Sequence, residues 1–276
     1  MLLREYASPL DKAWRVCFLL YCGAVFAFLV IPVLAVMPLS FNSGAFLTYP
    51  LEGLSLRWYE EFVRSPKWLP SVRNSVLVAA ATTAIATPLG TLAALGLMHA
   101  RPGLKPVILG ILILPMIVPV IIIALAIYFL DAPLGLTSSY WGLILAHTVL
   151  ATPFVVVVVH ATLQGVDPGL AKAGTSLGAP PTTVFFRVTL PLIAPGVLSG
   201  ALFAFMTSFD EIVIAIFIAG PAQRTVPLQM FEGVREEISP TITAAATLLI
   251  VISVLVLTTA ELLRRRGLRM SGDARG

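Results

Sequence analysis

DPGLAKAGTSLGAPPTTVFFRVTLPLIAPG, residues 167–196, carries its own punctuation. Asp167 is a good helix N-cap, Pro168 suits the first helical position, where a missing N–H costs nothing, and Gly178 suits the left-handed turn just past a helix end. Together they predict a helix from Pro168 to Leu177, about 15 Å long at 1.5 Å per residue. Leu170, Ala173, Gly174 and Leu177 fall along one stripe of it, built of small and apolar side chains that let another surface approach closely. Such a stripe suits a helix resting on its own membrane face or one that docks a second protein.

On either side of this loop the chain is apolar almost from end to end. Of its 276 residues 58% are hydrophobic and 12% charged, and the mean hydropathy is +0.95, far from the roughly 45–50% apolar and 25% charged residues of a soluble domain. A helix needs about 20 apolar residues to cross the hydrocarbon core, because its backbone groups must be satisfied within the segment. Six stretches qualify: Val16 to Leu39, Val72 to Met98, Val107 to Leu130, Trp141 to Leu163, Pro195 to Ile218 and Thr241 to Leu263. The first is longer than a signal-peptide core and no small-residue cleavage site follows it, so it reads as a retained span. The expected fold is therefore all-α, a polytopic membrane helix bundle of six spans in one domain, 1–276. Within it stand a loop at 164–194 and, at 40–71, a second loop whose Leu56 to Val63 segment reads as a short amphipathic helix at the membrane surface.

Charge assigns the sides. With six crossings both termini share a face, and twelve Lys and Arg fall on that face against six on the other, which places the termini and the 164–194 loop in the cytoplasm. The Arg264–Arg266 cluster, counted among the twelve, directly follows an apolar helix, so it is a topology signal and not a nucleic-acid patch. Cys17 and Cys22 lie five residues apart in one span and match no metal-ligand spacing, and His99, His147 and His160 are scattered; all five read as packing or interfacial residues. Pro88, Gly90, Pro115, Pro119 and Pro153 interrupt the spans, as kinks in packing helices or as a pathway that changes shape.

The loop resembles the cytoplasmic coupling loop of bacterial ABC importer permeases, whose pattern is Glu-Ala-Ala, three residues, Gly, nine residues, Ile, any residue, Leu-Pro. Lys172, Ala173, Gly174, Gly178, Val188, Leu190 and Pro191 stand at those positions with the full spacing, Lys172 replacing the acidic residue. Longer strings, GLSLRWYEEF, NSVLVAAATT, SFDEIVIAIFIAGP and EEISPTITAAATLLIVIS, are similar to the second permease chain of spermidine/putrescine importers, and related chains import opines or other amines. The resemblance implies a bacterial inner-membrane permease working by alternating access. Its implied partners are a second permease chain forming a heterodimer, an ATPase dimer that binds the ATP, a solute-binding protein and a small cationic solute. The chain itself would bind no cofactor.

Asp210 and Glu211 are adjacent acids that the hydropathy places well inside the fifth span, where ionisable groups are costly and functional by default. They suit a polycation in a wet cavity, or one of them caps or pairs within the bundle; neighbours on a helix point about 100° apart, so both need not face the lumen. Rival readings meet specific gaps. An intramembrane enzyme needs a catalytic dyad or a His-x-x-x-His metal site, and neither is in the sequence. A self-contained ATPase needs Gly-Lys-Ser/Thr, but none of the four lysines, Lys12, Lys67, Lys105 and Lys172, follows Gly or precedes Ser or Thr. A secondary transporter would also carry buried acids, yet no inverted repeat is evident and the loop spacing speaks for a separate ATPase.

Overall fold

The computed structural model describes residues 9–236 and 239–273. Twelve α-helices make up nearly all of it, and the one extended pairing among the described residues is an antiparallel bridge between Asn42 and Leu54. The helices fall into two compact units, one formed by the chain up to Arg64 with Gly233–Ser253, the other by Ser65–Glu232 with the stretch from Val254 on.

In the first unit α1 (Pro9–Leu39) is apolar and exposed along nearly its whole length, as a helix bathed in lipid can be. It leads into a loop organised by Asn42, which is fully buried. The Asn42 side chain accepts from Glu52 N–H at 3.1 Å and donates to the Phe46 carbonyl at 3.1 Å, while its own carbonyl accepts the Trp58 indole N–H at 2.7 Å. Trp58 and Phe62 are the buried i, i+4 pair of α2 (Arg57–Arg64), so the amphipathic helix expected at Leu56–Val63 is present and lays its apolar face on its own loop.

The second unit is built on α3 (Trp68–His99), α6 (Tyr140–Gln164) and α9 (Leu190–Phe209). Between α3 and α6 the chain runs as α4 (Lys105–Ile117) and α5 (Val120–Asp131), an apolar pair bent by 98° at the join. The cause is local: Pro119 forces Val118 out of the helical region, to φ −70° and ψ 134°, and the ladder breaks there. Then come α7 (Pro168–Ser176), the single turn α8 (Pro181–Val184) and α10 (Val213–Ile218); α11 (Val226–Glu236) and α12 (Pro240–Asp273) are each shared between the two units, their stretch within Gly233–Ser253 belonging to the first.

The three central helices interlock through rows spaced by four residues. Ala151, Val155, Val159 and Leu163 form a ridge on α6; Ala86, Gly90 and Ala94 on α3, and Gly196, Gly200 and Ala204 on α9, are the grooves that receive it. Apolar contacts gain little from burial in lipid, so close backbone approach through small residues supplies the packing energy instead.

Four described helices are long and apolar enough to cross a membrane: Lys12–Leu39, Trp68–His99, Tyr140–Gln164 and the run Pro181–Phe209; the bent pair has the composition of a fifth crossing or of a re-entrant loop. The fifth expected span needs correction. It was placed at Pro195–Ile218, but the continuous apolar helix begins at Pro181 and stops at Phe209, and α10 is a separate short helix. For the last span, Thr241–Leu263, the described apolar part of α12 is Pro240–Leu255, and the side chains from 259 on lie outside the described residues.

Candidate coupling surface and pathway

The 167–196 segment folds as its punctuation indicates. The Asp167 carboxylate accepts from Gly169 N–H at 2.8 Å, satisfying one orphan donor of the first turn of α7; Pro168 occupies N1, and Gly178 sits at φ +83° just past the end. The helix closes at Ser176 with Leu177 as its C-cap. All of α7 lies outside the central bundle and none of its side chains is buried.

Its faces differ in use. A Cβ placed on Gly174 would lie 3.1 Å from Val184 of α8, so Gly174 is where α7 presses against the next turn. Ala171, Lys172 and Thr175 look into a groove of about 570 Å³ whose other walls include Leu95, Met98 and His99 at the end of α3, Leu163 of α6 and Val188 and Leu192. Leu170 lines the same groove while half exposed, whereas Ala173 and Leu177 line neither contact and are exposed, Leu177 at 89%. The four-residue stripe of the sequence reading is thus divided: Gly174 packs on α8, Leu170 lines the groove, and Ala173 and Leu177 remain open. Lys172 is exposed and makes no ion pair among the described residues.

From α8 the chain runs through one π-helical turn, Phe185–Thr189, into α9 without a break. Leu190 and Pro191 begin that helix, Leu190 packed against the buried cluster of α3, α6 and α9, and Pro191 exposed. Pro191 is harmless there, in the first turn, where no N–H is needed.

Asp210 and Glu211 lie at the far end of α9. Ser208 is level with His147, seven residues or about 10 Å along α6 from its start at Tyr140, and the His147 Nδ1 and the Ser208 hydroxyl are hydrogen-bonded at 2.8 Å. Both acids therefore sit at a helix break and not in mid-helix. Asp210 is the C-cap residue, its N–H bonded to the Met206 carbonyl at 3.0 Å and its side chain exposed. The Glu211 carboxylate accepts from Ile214 N–H at 3.0 Å and so caps α10, which buries Ile214, Ala215 and Ile218 against α5 and α6. Of the two acids Glu211 has structural work, and Asp210 is free among the described residues.

Beyond α10 a latch holds the chain at this end. Asn74 of α3 donates to the carbonyls of Ala222 and Arg224, both at 2.9 Å, and accepts from the Tyr140 hydroxyl at 2.8 Å; Ser75 accepts Val226 N–H at 2.8 Å, and Arg224 pairs with Glu232 at 3.2 Å. The latch was not anticipated from sequence, whereas His147, expected as a packing or interfacial residue, is buried and tied to Ser208. The glycine rows are small residues four apart on two different spans, of which the sequence reading took only Gly90, and as an interruption.

Three comparisons bear on what this arrangement does. Residues 86–268 match the family described as binding-protein-dependent transport system inner membrane component. The chain is 32% identical over 245 residues, 89% of itself and 92% of the relative, to the spermidine/putrescine transport system permease protein PotC of Escherichia coli K12. It is 35% identical over 244 residues, 86% of itself and 85% of the relative, to the putrescine transport system permease protein PotI of the same organism. Among solved structures it superposes with a TM-score of 0.74 on a chain of a bacterial ABC transporter involved in the import of the acidic polysaccharide alginate, at 13% identity and covering 94% of this chain and 99% of that one. A fold shared with a transporter of an acidic polysaccharide says nothing of cargo charge, so any specificity argument has to come from side chains.

Proposed function

The chain belongs to the family of binding-protein-dependent transport-system inner-membrane components, multi-pass permeases and not enzymes, and from that premise we propose that it is one of two permease chains enclosing the pathway of an ATP-powered importer of polyamines or closely related organic cations. ATP binding and hydrolysis belong to a separate ATPase dimer, a solute-binding protein delivers cargo at the opposite face, and this chain carries no cofactor. Both termini and α7 lie in the cytoplasm, the side favoured by the excess of Lys and Arg.

The observation that carries the reading is α7: a helix capped at both ends, held outside the bundle, with Ala173 and Leu177 open to a partner and Leu170 at the rim of the groove beside them. Its connections make it a lever. Gly174 bears on Val184, α8 continues into α9 through the π-helical turn, and the Gly196–Gly200–Ala204 row grips α6 along the way to Asp210. A displacement of α7 by a closing ATPase dimer is thereby passed along packed, contiguous elements to the helix break that carries the free carboxylate. Cargo chemistry is supported by the names of the relatives and by Asp210 itself, an exposed acid with no cationic partner in this chain among the described residues.

Cysteine crosslinking in the assembled transporter tests the docking. Leu177→Cys and Ala173→Cys should crosslink to the ATPase subunit, and Thr175→Cys, which looks into the groove, should do so far less. Equal labelling of all three by lipid-phase reagents, with no ATPase adduct, would contradict the assignment.

A further inference from the structure

α9 has two rows. Gly196, Gly200, Ala204 and Ser208 are buried against the neighbouring helices. One step around the helix, Ser199, Phe203, Thr207 and Asp210 follow at spacings of four, four and three residues and share an open face: Phe203 is 53% exposed and Asp210 is exposed. The Ser199 hydroxyl is satisfied by its own helix, at 2.8 Å from the Pro195 carbonyl, but neither the Thr207 hydroxyl nor the Asp210 carboxylate has a hydrogen-bond partner among the described residues. An unpaired carboxylate and an unpaired hydroxyl on one stripe are not a lipid-facing surface, because hydrocarbon would leave both unsolvated. Phe203 belongs to that same wet stripe. Its ring lies nearly parallel to that of Phe154 on α6, with centroids 6.5 Å apart and an interplanar angle of 16°. An exposed ring backed by a half-buried one beside a free acid offers what an organic ammonium group prefers, a negative charge and the negative face of a ring.

We propose that this face is a two-point track for an oligoamine, with Asp210 holding one ammonium group and the Phe203–Phe154 pair holding a second about 10 Å away along α9, seven residues at 1.5 Å each. Thr207, between them, accepts from an intervening amine. The carboxylate alone would take any ammonium, whereas a second point at fixed distance measures chain length. The terminal amines of a four-carbon diamine are too close together to reach both points, and those of an extended triamine reach both. The inference deepens the proposed function and rests on it: Phe203 is the residue that favours longer polyamines over shorter ones.

The test uses the complete transporter, this chain with its companion permease, ATPase and binding protein, in proteoliposomes, with labelled spermidine as triamine and putrescine as diamine. In Phe203→Leu the ratio of kcat/KM for triamine over diamine should fall about three- to thirty-fold relative to wild type, the range of one cation–π contact. Phe203→Trp, which keeps and strengthens the ring face, should restore the ratio. The binding protein is the same throughout, so its own preference cancels. A ratio unchanged in Phe203→Leu, or a loss of both activities together with poor co-purification of the companion permease, would overturn the track and make Phe203 an apolar packing residue. Wild-type transporter that takes up neither amine would remove the polyamine reading and the track with it, an outcome the variants do not enter.

Discussion

Replacing Gly90 by alanine adds one methyl group where the structure has no room for it. The new Cβ would lie 2.6 Å from the Val155 Cβ, 2.7 Å from its Cγ1 and 3.1 Å from the Thr152 carbonyl oxygen. Val155 has no way out, since it is fully buried, β-branched and stiff, and a Cβ on Gly200 would be 3.2 Å from its Cα on the other side. Relief therefore requires α3 and α6 to separate by about 1 Å, and overpacking of that kind costs about 1–3 kcal/mol. Alanine returns up to about 1 kcal/mol through its better helix propensity, leaving a net loss of up to about 2 kcal/mol, the upper part of that range applying because Val155 cannot move aside. Gly96, on the same helix, meets nothing within 4 Å, so Gly96→Ala keeps the propensity gain without the clash. In matched thermal inactivation runs on detergent-purified protein, Gly90→Ala should inactivate several degrees below wild type and Gly96→Ala at or above it. Equal stability of the two glycine variants would refute the ridge-and-groove account.

Three further outcomes follow from the same geometry. Asp167→Ala removes the cap of α7, worth about 1 kcal/mol to that helix, and should lower transport-coupled ATP hydrolysis while the inactivation temperature of the bundle stays at the wild-type value. Asp210→Asn should leave membrane levels and assembly near normal and reduce uptake of a cationic substrate; Glu211→Gln keeps the acceptor that caps Ile214 N–H and should affect uptake less, so the reverse order would exchange their roles. Lys172→Glu should fail to improve coupling, since it brings a carboxylate to a surface that meets its partner with a lysine; a clear gain in coupled hydrolysis would show instead that the usual acidic residue is wanted there.

The sequence told most where the determinants are local. Asp167, Pro168 and Gly178 act within a turn of their own positions, and all three do in the structure what their chemistry suggests. Pro119 likewise breaks the third apolar stretch at the residue before it. The end of the fifth span was misplaced because hydropathy continues past the acids into Val213–Ile218, and composition does not register that Ser208 is tied to His147 or that Glu211 caps a new helix. The first depends on residues brought together by the packing of α6 against α9; the second is local, three residues along the chain, but acids this close to an apolar run read equally as pathway groups. The latch was out of reach for the first of these reasons, Asn74 and Arg224 being 150 positions apart. On α7 the helical stripe was correct as a periodicity, but periodicity does not say that Gly174 would be turned to Val184 and away from a partner. The rows Ala86–Gly90–Ala94 and Gly196–Gly200–Ala204 stand in the sequence as small residues four apart, but the sequence reading took Gly90 only as an interruption of its span and so did not see which helices pack.

The central claim is that this chain passes the work of a separate ATPase to a polyamine pathway, and the direct measurement is spermidine uptake into proteoliposomes rebuilt from this chain, its companion permease, the ATPase and the binding protein, with each component left out in turn. The account predicts ATP-dependent accumulation that vanishes on omission of any one of the four and falls sharply in Asp210→Asn. Accumulation that proceeds without the ATPase, driven by an ion gradient alone, would contradict it.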